Sequence, residues 1–253
     1  MVTARFKTKQ MARVSGATKR PCTIKFRSDP ASLTKHKPAK RIGRLVSKTP
    51  ITHDIHEFRF QIKGDDSFLP GQYALLSLPE VEGARATPCV TLQGTVIGAF
   101  KSKKVPGGAL TRELFTMQGG EEVAIDGPYS TAHLREDCPR DIVLMAGGSG
   151  LSPMVSIARG AFAAGMLNTR RLHFYYGGRT EADVIDPELL GAELAELVTF
   201  TVVLSDKSET SRRFRKGFLH DVVAADFGER LKDHEIYYAG PAVMSAAIQK
   251  NSL

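Results

Sequence analysis

The stretch Asp141-Ile-Val-Leu-Met-Ala-Gly-Gly-Ser-Gly-Leu-Ser-Pro153 decides how the chain is read. Its apolar run, Ile142 to Ala146, has no polar residue on either face, which is the pattern of a strand covered on both sides. Three glycines follow within four positions: Gly147, Gly148 and Gly150. Residues 154–164 then have helical character, with Pro153 near the first turn, where a missing N–H leaves no hydrogen bond unmade. Strand, glycine turn and helix start together aim backbone N–H groups and the positive end of a helix dipole at one point, which suits a phosphate. The spacing is G-G-x-G-x-x-P rather than G-x-G-x-x-G, and an ordinary tight strand-to-helix turn has the same composition. The rest of the chain has to arbitrate.

Downstream, strand and helix alternate. Strands are expected at 142–146, 171–176, 198–204 and 235–239. Helices are expected at 154–164, near 187–195, near 218–225 and at 242–249. That alternation specifies an α/β doubly wound parallel sheet over residues 139–253. Ligands bind such sheets at the carboxyl ends of the strands. Here those ends are Gly147–Pro153, Gly177–Arg179, Ser205–Asp206 and Gly240–Pro241, four glycine-rich or polar exits on one edge. Upstream, residues 41–48, 55–62, 72–79, 96–100 and 122–126 read as short strands, and 111–117 as a short helix. Pro70-Gly71 and Gly127-Pro128 punctuate them as turns. The region 41–138 is therefore expected to be a small antiparallel β-barrel.

Charge separates a third region. Residues 1–48 hold 14 Lys/Arg and one acid, Asp29, whereas the remaining 21 Lys/Arg face 26 Asp/Glu. The positive balance of the chain thus belongs to its beginning. Residues 1–40 show no sustained period, only Cys22–Phe26 has strand character, and a solvated, unordered basic tail is expected. A docking arm for an acidic redox partner or nucleic acid is the sharper reading of that tail, but it lacks interleaved aromatics, so nucleic acid is not expected as a partner. Cys22, Cys89 and Cys138 are far apart and cannot supply the four thiolates of an iron–sulfur cluster; no metal site is expected. No run of 18 apolar residues offers a membrane span and no apolar leader is visible, so cytoplasmic location is the expectation.

Six motifs occur in order: Gly71-Gln-Tyr73, Val105-Pro-Gly-Gly-x-x-Thr111, Gly127-Pro-Tyr-Ser130, Gly147-Gly-Ser-Gly-Leu-Ser-Pro153, Tyr176-Gly-Gly-Arg179 and Ala239-Gly-Pro-x-x-Met244. Singly each is weak; together, over residues 41–248, they resemble the ferredoxin–NADP reductase superfamily. Within it the chain looks most like the NADH-dependent reductase components of bacterial multicomponent aromatic oxygenases. The resemblance implies an FAD barrel followed by a nicotinamide-nucleotide domain, hydride transfer from NAD(P)H to FAD, and electrons passed on to a ferredoxin or terminal oxygenase component. It implies that Val105, Gly107, Gly108 and Thr111 hold the FAD pyrophosphate, and that Gly147, Gly148, Gly150 and Pro153 hold that of the nicotinamide dinucleotide. Gly178 and Arg179 would meet a ribose or phosphate, and Gly240, Pro241 and Met244 would close the nicotinamide pocket. Plainer readings stand beside these: a solvated surface arginine at 179 and a core methionine at 244. Thr180, Glu181 and Asp183 follow Arg179, and acids there favour NADH over NADPH, since they repel a 2′-phosphate and accept from ribose hydroxyls.

The chain departs from the family where R-x-Y-S is expected. Arg85 matches, but Thr87 stands for the tyrosine and Pro88 for the serine. An aromatic packing surface and a donor are lost there. Cys89–Gly98 does not resemble the family and the pattern resumes at Lys103, which has the form of a reading-frame slip. Relatives also continue past the Ala-Gly-Pro motif for another strand. The nicotinamide half is thus expected to be well formed and the flavin half weakened. The alternative to an active reductase is a damaged or truncated relative that binds nucleotide or partner without turnover.

Overall fold

The computed structural model describes residues 12–15, 38–63, 68–79, 81, 85–92, 97–104, 106–130, 132–206 and 213–252; residues 12–15, 85–92, 97, 251 and 252 are described by their backbone alone. The first strand, β1 (Ala12–Ser15), belongs to the second of two sheets. The next six are β2 (Ala39–Pro50), β3 (Ile55–Ile62), β4 (Tyr73–Ser77), β5 (Arg85–Leu92), β6 (Ile97–Lys103) and β7 (Glu122–Tyr129). They close an antiparallel barrel in the order β2-β3-β6-β5-β4-β7. Alternation drives the closure: Phe58, Phe60 and Ile62 of β3, Phe100 of β6 and Val123 and Ile125 of β7 point into one buried cluster. Helix α1 (Ala109–Thr116) adds Leu110 and Leu114 to it.

The second sheet has the order β1-β12-β8-β9-β10-β11. Its strands are β8 (Ile142–Gly147), β9 (Leu172–Gly178), β10 (Val198–Leu204), β11 (Arg215–Lys216) and β12 (Glu235–Ala239). All neighbours are parallel except β1 and β12. The helices α2 (Leu151–Ala163), α3 (Ala192–Leu197), α4 (Leu219–Phe227) and α5 (Ala242–Ser252) cover both faces. Ile142, Leu144 and Ala146 of β8 join the core under α2 and α3, whereas Val143 and Met145 join the one under α4 and α5. This two-sided burial is why the central strand reads as an unbroken apolar run. Among the described residues, no helix is long and apolar enough to cross a membrane.

Four expectations need correction. Within the basic tail, Ala12–Ser15 is a strand paired with β12, and β2 already begins at Ala39. The pairing satisfies backbone groups of β12, which a local pattern cannot show. Cys22–Phe26 lies outside the described residues. Gly127-Pro128 is not a turn: β7 runs through it to Tyr129, and Gly127 allows β4 to approach so closely that a Cβ would lie 3.0 Å from the Ala74 Cα. The helix expected near 187–195 is split at Gly191, whose φ of +106° separates the turn Pro187–Leu190 from α3. The strand expected at 96–100 extends to Lys103 as β6, because its later half pairs with β3.

Barrel and sheet meet along α2. The Gly71 amide donates to Ser156 Oγ (3.1 Å) and the Lys101 amide to Ser152 Oγ (3.4 Å). The Lys101 ammonium, wholly buried, is bonded to Glu57, which also accepts from Arg59 Nε (2.8 Å). Glu57→Gln leaves Lys101 buried with no carboxylate and should lower stability by about 3 kcal/mol in urea unfolding. Lys101→Met should cost less, because Arg59 still neutralises Glu57; the reverse order would contradict the assignment. Burial outweighs the Glu57 attraction and holds the Lys101 pKa down at about 8 against the free side chain's 10.5. Between those values the unfolded chain binds the proton that the native state has released, so this group makes stability rise with pH through that window. Lys101→Met should abolish the rise.

Candidate functional site

The three glycines after β8 serve different ends. Gly148–Gly150 form a single tight turn that runs straight into α2. A Cβ on Gly147 would lie 2.7 Å from Met244 Sδ and 3.2 Å from Pro241 Cδ, and one on Gly150 would overlap the Ala239 carbonyl. These two positions let the exits of β8 and β12 touch. Gly148 has φ +53°, a left-handed conformation that a Cβ disfavours, and a Cβ there would meet only the Lys103 side chain, at 3.6 Å. Gly147, Gly148, Gly150, Pro153, Gly240, Pro241 and Met244 are thus brought to one place. No side chain caps the start of α2 and no acid lies in its first turn, so its amide end carries no competing carboxylate.

The exits of β9 and β10 are cross-linked beside it. The Gly178 carbonyl accepts from the Ser205 amide (3.1 Å), and the Arg179 carbonyl from the Asp206 amide (2.9 Å). Arg179 is exposed. Asp183 does not offer the open carboxylate expected of it. Its Oδ2 accepts from the Arg179 amide (2.9 Å) and the Thr180 amide (3.1 Å), which fixes the loop. Glu181 is exposed on the same turn. The Gly217 amide donates to Leu204 O (3.0 Å), which places Phe218 next to the β10 exit. Phe218 is 59% exposed and its ring is stacked on His220, with centroids 5.7 Å apart and planes 17° apart. The sequence reading passed over Phe218. An aromatic following a glycine at a strand exit was the signal that could have found it.

On the barrel, Gly107 has φ +72° and Gly108 begins α1, again with no side-chain cap and no acid in the first turn. Thr111 Oγ1 donates to the Gly108 carbonyl (3.2 Å), so its hydroxyl is directed to the turn itself. Val105 lies outside the described residues. Arg85 and Thr87 lie on β5, opposite Leu76 and Ala74 of β4, and their side chains are outside the described ones. Pro88 is opposite Tyr73, whose ring lies 5.9 Å from that of Tyr129. The Tyr129 hydroxyl donates to Asp126 Oδ1 (2.9 Å), and burial followed by that carboxylate pushes its pKa up. The tyrosines of the Gly71-Gln-Tyr73 and Gly127-Pro-Tyr-Ser130 motifs, whose pairing the sequence did not show, therefore stand beside β5.

Lys103 joins the two halves. It lies on β6, its stem is against Gly148, and its ammonium pairs with Asp54 Oδ2 (2.8 Å). In the same hairpin His53 Nδ1 lies 3.0 Å from the Ala182 carbonyl of the β9 exit loop. Ligand-type atoms of His53, Asp54 and Asp183 come within 4.8 Å of one another. Asp54 is engaged by Lys103 and Asp183 by backbone amides, so the group works as a clasp between barrel and sheet.

Residues 43–134 match the family model for the oxidoreductase FAD-binding domain, and residues 144–250 that for the oxidoreductase NAD-binding domain. Barrel, sheet and facing strand exits thus define a two-domain flavin- and nicotinamide-type oxidoreductase. The relatives narrow the class. Over 216 residues the chain is 33% identical to the reductase component of the Pseudomonas putida naphthalene 1,2-dioxygenase system, described as ferredoxin–NAD(P)(+), covering 83% of this chain and 64% of the relative. It is 34% identical over 212 residues to the ferredoxin–NAD(+) reductase component of the Xanthobacter autotrophicus alkene monooxygenase system, covering 82% and 64%. The chain therefore spans about two-thirds, 64%, of the length of these curated relatives. The ferredoxin reductase of carbazole 1,9a-dioxygenase has the same fold, with a TM-score of 0.80 at 24% identity over 87% of this chain and 66% of that one. The chain thus carries an oxidoreductase FAD-binding domain followed by an oxidoreductase NAD-binding domain, and is similar in sequence to ferredoxin–NAD(P) reductase components.

The packing around the glycines sets an order of tolerance. Gly150→Ala, which drives a methyl into a backbone carbonyl, should lower stability by about 3 kcal/mol. Gly148→Ala should cost about 1–2 kcal/mol for its left-handed backbone alone. Urea unfolding of the two variants checks this, and equal losses would contradict it.

Proposed function

We propose that the chain holds FAD on the barrel and NADH across the sheet's strand exits, and delivers electrons from NADH to a ferredoxin or oxygenase component acting on aromatic compounds in the cytoplasm. The observation that carries this reading is the approach of the Lys103 stem to Gly148, 3.6 Å from where a Cβ would lie. It makes the barrel strand that leads into Val105–Gly108 a neighbour of the sheet's glycine turn.

The residues present fit a flavin. Gly107, Gly108 and the uncapped start of α1 suit its pyrophosphate, and Tyr73 with Tyr129 offers an aromatic packing surface. When bound, FAD takes up a hydride and releases electrons singly. The protein's part is placement. The Gly148 amide and the α2 start bind the dinucleotide pyrophosphate. The flat face of Phe218 supports the adenine, and Pro241 with Met244 closes the nicotinamide end. Arg179 donates to a ribose or phosphate oxygen. Glu181 on the same turn opposes a 2′-phosphate and favours NADH; Asp183, held by backbone amides, adds nothing to that choice.

A second reading, binding without turnover, is favoured by Thr87 and Pro88 on β5, where an aromatic and a hydroxyl donor were expected. Visible absorption after reconstitution with FAD separates the two. One bound flavin per chain, with NADH-dependent reduction of ferricyanide, supports the reductase; a chain that retains no flavin overturns it. Phe218→Ala should raise KM for NADH about tenfold with flavin content unchanged, since base stacking is worth about 1–3 kcal/mol. An unchanged KM removes Phe218 from the site.

A further inference from the structure

Lys103 reaches from the barrel to the glycine turn of the sheet. Its Cδ lies 3.6 Å and its Nζ 4.0 Å from where a Cβ on Gly148 would be. The same Nζ is 2.8 Å from Asp54 Oδ2. One ammonium thus stands beside both a carboxylate and the start of α2, which has no acid in its first turn. The Lys103 side chain is 36% exposed and that of Asp54 19%, so a competing anion can part them without sealing a charge in the core. Asp54 cannot follow the ammonium. Its carbonyl accepts from the Lys104 amide (2.7 Å), and its Oδ1 accepts from Thr52 Oγ1 (3.2 Å). Thr52 Oγ1 accepts in turn from the Ile55 amide (3.1 Å), which fixes the carboxylate to the hairpin between β2 and β3. Lys103, by contrast, carries its charge on a flexible four-carbon stem.

We propose that Asp54 is the resting counter-ion of Lys103, and that Lys103 exchanges it for the pyrophosphate of the dinucleotide at the glycine turn. The inference rests on the nucleotide reading above and adds to it a cation from the barrel and a carboxylate that competes for that cation. A pyrophosphate carries more charge than one carboxylate, and the turn's amides and the α2 dipole meet it at the same time. The exchange therefore favours the ligand once it arrives. Before that, Asp54 keeps the ammonium neutralised and held at the turn. When Lys103 leaves, Asp54 retains the Thr52 hydroxyl as a donor, so the freed carboxylate is not without a hydrogen bond. The dinucleotide is thus gripped from both sides of the seam, by Gly148 of the sheet and Lys103 of the barrel, and the carboxylate tempers its affinity.

The test is equilibrium binding, by calorimetry, of NAD+, ADP-ribose and adenosine to the full chain, to each single variant and to the double variant. Lys103→Met keeps an apolar stem and removes the charge; it should raise the Kd for NAD+ and ADP-ribose about tenfold. Asp54→Asn keeps an acceptor for Thr52 and removes the competing charge; it should lower both Kd values about threefold. In the double variant that tightening should vanish, because a gain that acts through Lys103 needs Lys103. Adenosine lacks the pyrophosphate and should bind every variant as it binds the unaltered chain, which also shows that the variants are folded. Weaker binding by Asp54→Asn would mean that the carboxylate supports the turn rather than competes with the ligand, and would overturn the exchange. A Kd indifferent to Lys103→Met, in a chain that binds ADP-ribose, would overturn the inference alone. An unaltered chain that takes up neither NAD+ nor ADP-ribose would remove the nucleotide reading, and this inference with it.

Discussion

At Gly150 the backbone entering the first helix comes so close to the Ala239 carbonyl that no side chain fits between them. Much of the sheet's geometry follows from that approach. β8 and β12 are hydrogen-bonded neighbours whose exits converge, so the turn after one packs against the Gly240–Met244 corner after the other. Met244 is thereby both part of the core under α5 and the wall behind Gly147. Of the three glycines after β8, only Gly148, left-handed and facing the Lys103 stem, is set by its backbone conformation rather than its crowding.

The seam between barrel and sheet obeys a different logic. Glu57 is a single buried carboxylate bonded to both Lys101 and Arg59, with Arg159 of α2 close enough to act on it. Arg159 is in turn held by the carbonyls of Leu189 and Leu190. Buried ion pairs add little net stability, because desolvation consumes most of their attraction. What such a cluster does is restrict geometry, since one carboxylate satisfies these cations in few arrangements. A fixed seam sets how the two sheets lie: the separation of Lys103 from Gly148 depends on how α2 lies on the barrel.

The sheet was legible because its strands are buried on both faces and its helices alternate with them. The period and the glycine exits survive in the sequence without any knowledge of partners. What was not legible depended on distant pairing. Ala12–Ser15 has no pattern of its own and becomes a strand through β12. Gly127-Pro128 has turn composition, yet the crowding of Ala74 makes the glycine a strand residue. Asp183 looked like a ribose acceptor, but its carboxylate is committed to two amides of its own turn. Phe218 was passed over, and Lys103 was read only as the point where the family pattern resumes; what the fold places beside them is not written in their own stretches of sequence.

Strand β5 shows how differently backbone and side chains depend on sequence. β5 keeps its register with β4 from Arg85 to Pro88 and with β6 from Cys89 to Leu92, with one irregularity between Cys89 and Thr91. Ladder hydrogen bonds use main-chain atoms, so a barrel strand tolerates a run of foreign side chains as long as its neighbours hold it. A flavin surface has no such tolerance, since stacking requires a flat ring at a set place. Tyr73 and Tyr129 come from β4 and β7, outside β5, and they meet at the point where Pro88 is paired. The barrel thus has an aromatic pair whose position is fixed by β4 and β7 rather than by β5.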